Sequence, residues 1–358
     1  MRKFFQKLDW ILLLSVVALV SFGTLMIYSA SIGDFDKTNY VARQSIYFLI
    51  GLGLVLLIAQ IGYKTLLHFA VWFYFLIIAL LLITFVIGFE SHGSVRWIDF
   101  GFFTLQASEL AKPVLILFFS YFFTLRPANK KRNLIVSFIL ALIPAVLVFL
   151  QPDFGSAFVI LMIWLVMVYL SGLKWQYLVS MIVAGAILIP VGFSVLKAYQ
   201  KQRLLTFINP NLDPLGAGYN IVQSIIAVGS GQFLGRGFGR GTQSHLNFLP
   251  EQKTDFIFAT TAEELGFLGI GAILALFSLI IYRFVKIASS AKGKAASLIC
   301  YGAVSVIAIE LFINAGMNMG LVPVTGITLP FISFGGSSLI SIMILVGLVI
   351  SIDLDNKS

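Results

Sequence analysis

Gln243-Ser-His-Leu-Asn-Phe-Leu-Pro-Glu-Gln-Lys-Thr-Asp255-Phe-Ile-Phe-Ala-Thr-Thr-Ala-Glu-Glu-Leu-Gly266 is the stretch that decides the fold. It begins polar and turn-forming and ends apolar, so it marks where the chain leaves water and goes back into a hydrophobic phase. Before it, residues 198–260 form a long polar interval rich in Gly, Asn and Pro, and loops of that length are usually functional or disordered. On both sides the sequence runs in apolar segments close to the roughly 20 residues needed to cross a bilayer as a helix. Ten spans are expected, at 10–30, 45–61, 66–88, 107–125, 133–150, 155–172, 175–197, 261–284, 297–319 and 332–352. A membrane barrel would instead show short alternating segments. The expectation is an all-α polytopic membrane protein with ten transmembrane helices. Residues 1–358 form one membrane domain, with one large extracytoplasmic loop, about 198–260, between helices seven and eight.

Composition agrees. The 358 residues are 59% hydrophobic and 11% charged, with mean hydropathy +1.00, whereas a soluble domain carries about 25% charged residues. The single cysteine, Cys300, lies in an apolar run and excludes an intramolecular disulfide. His68, His92 and His245 are scattered without zinc-site spacing. The net charge of +9 does not point to nucleic acid, because the basic residues collect between spans. One set of short segments holds Arg2, Lys3, Lys7, Lys64, Arg126, Lys130, Lys131, Arg132, Lys174, Arg283, Lys286, Lys292, Lys294 and Lys357. The opposite short loops hold only Lys37, Arg43 and Arg96. By the positive-inside rule both termini are cytoplasmic, and the long loop faces outward.

Charges inside the apolar runs are costly and usually face a bundle interior or a wet cavity. Span four opens Gln106-Ala-Ser-Glu109-Leu-Ala-Lys112-Pro113. Glu109 and Lys112, at i,i+3, can pair on one helix face. Pro113 has no N–H for the carbonyl of Glu109, so a polar notch is expected there. The pair is read as an ion pair that fixes packing or as a group facing a substrate. Asp153, in Gln151-Pro-Asp-Phe-Gly155, is read as a cap of span six or as a substrate-facing group. Glu310 lies deep in span nine with no partner visible in the sequence. Pro190 and Gly192 make span seven a kink or a hinge.

The long loop starts basic, at Lys201 and Arg203, and becomes turn-rich at Asn209-Pro and Asp213-Pro. Residues 220–228 are expected to form a short interfacial helix with Gln223 and Ser224 as its polar face. Six glycines follow between Gly229 and Gly241, with Arg236 and Arg240 among them. The glycines permit close backbone approach, and the arginines are suited to a diphosphate. The stretch is not a P-loop, since no Gly-Lys-Ser/Thr is present. Asp255, beside Lys253 at a water–lipid boundary, is a candidate general base or metal ligand. Thr261-Ala-Glu-Glu264 matches a capping box, so Glu264 is read first as a helix cap. The last such loop, 314–338, ends at Ser337 and Ser338 and is Gly- and Pro-broken at the depth of a helix end. Backbone of that kind is tolerated only where it is buried or lines a cavity.

These motifs resemble the SEDS proteins (shape, elongation, division and sporulation), the bacterial peptidoglycan polymerases. The matching segments are Arg96-Trp-Ile98, Gln151-Pro-Asp-Phe-Gly155, Asn209-Pro with Asp213-Pro-Leu-Gly-Ala-Gly-Tyr219, Leu249-Pro-Glu-Gln-Lys-Thr-Asp-Phe-Ile-Phe-Ala259 with Glu263-Glu-Leu-Gly266, and Pro330-Phe-Ile-Ser-Phe-Gly-Gly-Ser-Ser338. Gly241-Thr-Gln-Ser244 and Met317-Asn-Met-Gly-Leu-Val-Pro-Val-Thr-Gly326 resemble the elongation-type member more than the division-type one. One departure is Gly229-Ser-Gly-Gln232, where many members have Ser-Gly-Gly.

The resemblance implies a glycosyltransferase that polymerises lipid II into β-1,4 glycan strands at the outer face of the bacterial cytoplasmic membrane, maintaining rod shape. It implies a class B penicillin-binding protein as transpeptidase partner, alongside other elongation-complex proteins and membrane lipid. It also places the essential aspartate on Asp255. Glu109, Lys112, Asp153, Arg203, Gln223, Arg236, Lys253 and Ser337 are the expected substrate-binding residues. A divalent cation, Mg²⁺ or Mn²⁺, is a possible cofactor, with Asp255 and Glu109 as its ligands. The rival readings are a lipid II flippase, a division-type member and a non-catalytic scaffold for the penicillin-binding partner.

Overall fold

The computed structural model describes residues 6–32, 39–91, 94–99, 101, 104–181, 183, 185, 187, 198–213, 216–245, 248–249 and 251–357. For residues 89–91, 94–95, 198–200, 203–204, 211, 217 and 245 only the backbone is described.

Among the described residues, eight helices are long and apolar enough to cross a membrane: α1 Trp10–Ser29, α2 Tyr40–Ile61, α4 Ala70–Ile87, α5 Ala107–Leu125, α6 Lys131–Leu150, α11 Ile257–Ser289, α12 Lys294–Asn318 and α13 Gly336–Asn356. A ninth apolar helix, α7 Phe154–Leu170, is slightly shorter. The expected span at 175–197, with Pro190 and Gly192, lies largely outside the described residues. The short helices are α3 Tyr63–His68, α8 Ala198–Ile208, α9 Ala217–Ser230 and α10 Thr242–His245.

The all-α architecture holds, and one small sheet is added to it. Strands β1 Phe89–Ser91, β2 Ser94–Asp99 and β3 Thr104–Gln106 form a small antiparallel sheet in the order β1-β2-β3. Trp97 of the middle strand pairs with both Phe89 and Gln106. Two of the three strands have only three residues, too few to show an alternation in the sequence.

Caps set several helix starts. Asp9 accepts the N–H of Leu12 at 3.1 Å, and Asn39 accepts that of Ala42 at 2.9 Å. The bundle is then arranged by polarity. In α4, the buried residues Ala70, Tyr74, Ile77, Leu81 and Thr84 form one stripe at helical spacing, and the other thirteen positions are less buried. In α5, fourteen of nineteen residues are buried, Glu109 and Lys112 among them. This charged helix therefore sits inside the bundle, packed on α4, α7, α12 and α13. Contact of α13 with α2 is close enough that a Cβ on Gly347 would lie 3.1 Å from Val55 Cα.

The 33 residues of α11 correspond to about 50 Å at 1.5 Å per residue, more than a hydrocarbon core of about 30 Å. The helix breaks at Gly266, with φ 62° and ψ −160°. Beyond the break, Gly269, Ile273, Phe277, Ile280, Phe284 and Ile287 form its buried stripe.

Candidate active site

Asp255 lies in the turn 251–256 that precedes α11 and is half-buried. The main chain around it is stitched to the segment between α12 and α13. Ser333 Oγ donates to the carbonyl of Thr254 at 2.6 Å and accepts the N–H of Leu329 at 2.8 Å. The N–H of Phe334 donates to the carbonyl of Lys253 at 2.9 Å. Lys253 holds its ammonium 4.1 Å from the ring centre of Tyr40, and Tyr40 meets Phe334 edge-to-face. Across from the carboxylate lies Gly326, with φ 74°, where a Cβ would sit 3.5 Å from Asp255 Oδ2. The aspartate is thus fixed by its backbone and faces a wall kept free of side chain.

Glu109, Lys112 and Glu310 form a second polar centre. Lys112 Nζ donates to Glu109 Oε1 at 2.7 Å and to Glu310 Oε1 at 2.5 Å. All three residues are buried. The i,i+3 pair expected from the sequence is present, and Glu310 from α12 joins it. The carbonyl of Glu109 that Pro113 leaves without a helical partner accepts Ser341 Oγ from α13 at 2.7 Å. Glu109 Oε2 and Glu310 Oε2 take no hydrogen bond among the described residues.

Other expected site residues have structural partners. Asp153 caps α7, accepting the N–H of Ser156 at 3.1 Å. It also accepts Gln106 Nε2 at 2.9 Å and Ser108 Oγ at 3.0 Å, with Arg96 at 3.9 Å. Ser337 Oγ accepts the N–H of Gln106 at 2.9 Å and donates to the carbonyl of Thr104 at 3.1 Å, fastening α13 to β3. Gln223 is half-buried on α9, and Arg236 is exposed, with Nη1 donating to Thr242 Oγ1 at 2.8 Å. Arg203 is placed by its backbone in α8, and its side chain lies outside the described residues.

Glu263 and Glu264 require a correction. The capping-box reading put a helix start at Thr261, but α11 starts at Ile257, and both carboxylates are completely buried in its second turn. Glu263 accepts the N–H groups of Gln243 at 2.9 Å and Ser244 at 3.2 Å, and the hydroxyls of Thr242 and Ser244 at 3.2 and 3.1 Å. Glu264 accepts Ser29 Oγ from α1 at 2.6 and 2.7 Å and the N–H of Gly239 at 3.1 Å. The carbonyls of the same two residues accept the N–H groups of Arg236 and Gly237, both at 2.9 Å. The glycine-rich segment is therefore moulded onto α11. A Cβ on Gly231 would strike the Ala262 carbonyl, and one on Gly235 that of Glu264.

Sequence reasoning missed Asn314 and Asn318. Both are fully buried on α12 and both donate to the carbonyl of Asp255, at 3.1 and 3.0 Å. The available signal was two amides at i,i+4 in an otherwise apolar run.

Taken together this is a multi-pass membrane protein with a polar site at the end of its bundle that carries the long loop, built on α5, α11, α12 and the segment before α13. The chain belongs to the cell cycle protein family that groups FtsW, RodA and SpoVE, which it matches over residues 9–358. It is 38% identical to the peptidoglycan glycosyltransferase MrdB of Escherichia coli K12, covering 99% of this chain and 96% of that one. A probable peptidoglycan glycosyltransferase FtsW of Geobacter metallireducens is 35% identical over 97% of this chain and 95% of its own length. Among solved structures, a chain from a peptidoglycan synthase complex that coordinates polymerization and crosslinking superposes with TM-score 0.85, at 30% identity and 98% coverage of both chains. The Thermus thermophilus rod shape determining protein RodA superposes with TM-score 0.74, at 28% identity and 98% coverage of both.

Proposed function

We propose that this chain is an elongation-type peptidoglycan glycosyltransferase that polymerises lipid II at the outer face of the bacterial cytoplasmic membrane, with both termini in the cytoplasm. The observation that carries the reading is Asp255, a half-buried carboxylate at the head of α11 in a frame of buried hydrogen bonds. Full-length identity to MrdB supports the elongation type.

In this reading the 4-hydroxyl of the acceptor GlcNAc attacks the anomeric carbon of the donor strand. Asp255 takes the hydroxyl proton, undecaprenyl diphosphate departs, and the α-linked donor gives a β-linked product. Lys253, Arg203 and Arg236 offset the developing charge on the diphosphate, and Gln223 lies on the same loop. Lys112 is fully buried between two carboxylates, which favours a strut between α5 and α12 over a direct diphosphate contact. Asp153 and Ser337 shape the wall behind the site through the partners they already hold.

A divalent cation, Mg²⁺ or Mn²⁺, fits Asp255 better than Glu109. Among the described residues no three metal-ligating acidic, His or Cys side chains converge, and Mg²⁺ commonly binds one or two carboxylates together with substrate phosphates. Asp255 matches that pattern, whereas Glu109 already has the Lys112 ammonium beside it. Such a cation would acidify the attacking hydroxyl and screen the diphosphate. The partner in this reading is a class B penicillin-binding protein, whose transpeptidase would cross-link the strands as they emerge. The site lies in the polymer-forming elongation complex, among its other proteins and in contact with membrane lipid.

The flippase reading needs its charges near the membrane midplane. Glu109 and Lys112 instead lie within the first two turns of α5, at its loop-side end. The test is Asp255→Asn in purified protein given lipid II, partner and Mg²⁺, with glycan strands read on a gel. The expected outcome is a folded protein that makes no strands. A folded variant with wild-type output would remove Asp255 from the mechanism.

A further inference from the structure

Asn318, reaching across from α12, caps the first turn of α11. In a regular helix the N–H of Ala259 would donate to the carbonyl four residues back, that of Asp255. Here it donates to Asn318 Oδ1 at 3.1 Å, and Asn318 Nδ2 donates to the Asp255 carbonyl at 3.0 Å. One side-chain amide has been spliced between donor and acceptor. The helical ladder itself begins with the next pair, where the N–H of Thr260 donates to the carbonyl of Phe256 at 3.0 Å.

Asn314, one turn earlier on α12, supplies a second donor to the same carbonyl at 3.1 Å and also bonds the Ile327 carbonyl at 2.7 Å. Ile327 follows Gly326, the residue facing the Asp255 carboxylate. The two asparagines therefore hold the aspartate and the wall opposite it in one frame. Ser224 Oγ of α9 donates to the Asn318 carbonyl at 2.9 Å, tying the loop helix to that frame.

We propose that Asn318, seconded by Asn314, is a positioning residue for the glycosyl transfer, because its spliced amide keeps Asp255 out of the helix and aimed at the space before Gly326. This rests on the reading of Asp255 as the base. Both asparagines are fully buried, so their effect on the transfer runs through Asp255. Loss of the splice lets Asp255 be drawn into the first turn of α11, which turns its carboxylate away. Since a base acts in the chemical step, turnover should fall while lipid II binding persists; a misplacement of about 1 Å can cost on the order of a hundredfold.

The test uses the full chain with its penicillin-binding partner, lipid II and Mg²⁺, comparing Asn318→Leu, Asn314→Leu and Asp255→Asn. Asn318→Leu should lower kcat at least tenfold with KM for lipid II within twofold, alongside a lowered melting temperature from the buried groups it leaves unsatisfied. Asn314→Leu leaves the splice intact and should lower kcat three- to tenfold, again without a change in KM. It carries the test by itself if Asn318→Leu does not fold. Folded variants with wild-type kcat overturn the proposal, as does a parallel loss of kcat and lipid II affinity, which would mark a packing role only. An active Asp255→Asn would instead overturn the reading of Asp255, a result distinct from either.

Discussion

Two pairs of buried glutamates solve the same physical problem in different ways. Glu109 and Glu310, on neighbouring helices, share the ammonium of Lys112. Glu263 and Glu264, adjacent in sequence near the loop-side end of α11, are met by backbone N–H groups of residues 239–244 and by the hydroxyls of Ser29, Thr242 and Ser244. A counter-charge on a helix locks helix to helix. A fan of amides must come from N–H groups that secondary structure has not already used, here those of Gly239 and of the first turn of α10, so it locks loop to helix. The difference follows from what each neighbourhood offers. Within the bundle the backbone amides are already committed to helices, whereas the glycine-rich segment still has its own to give.

The comparison can be broken at three points. The largest effect is expected for Lys112→Met, which strands two buried carboxylates. Removing one partner of a buried ion pair costs about 3–5 kcal/mol. Thermal unfolding in detergent should show a large drop, and adding Glu109→Gln and Glu310→Gln should restore most of it. Glu263→Ala should cost less, about 1–3 kcal/mol for buried donors left unsatisfied. Its signature should be local, with proteolysis within residues 231–245 while the bundle stays folded. If it unfolds the protein as completely as Lys112→Met, the distinction between the two solutions is wrong. Ser29→Ala, which removes one hydroxyl from Glu264, should be smallest, about 1 kcal/mol, read as a modest shift in melting temperature with the loop still protected.

What could be read in the sequence tracks how local the cause is. The apolar runs gave the spans, because crossing a bilayer is a property of about 20 consecutive residues. The Glu109–Lys112 pair and the freed carbonyl at Pro113 were legible because three or four residues set them. Glu310 gave no hint of its partner, which lies 198 residues earlier. The same holds for Asn314 and Asn318, whose target is 59 and 63 residues upstream. The case of Glu264 differs. A local motif offered a sufficient explanation, and the real partners, Ser29 and Gly239, became visible only with the chain folded. For Asp153 the capping reading stands, with Gln106, Ser108 and Arg96 added as partners brought in by the small sheet and α5.

The internal pairing of Glu109 with Lys112 has a consequence for how the protein is made. Ribosomes add about 5–20 residues per second, so Glu310 emerges roughly 10–40 s after Lys112. During that interval α5 must sit in or beside the bilayer without its second carboxylate. Since Glu109 and Lys112 lie on one face of the same helix, the segment can be handed to the insertion machinery already neutralised. The arrival of α12 then completes the triad, so the order of synthesis and the order of charge burial coincide.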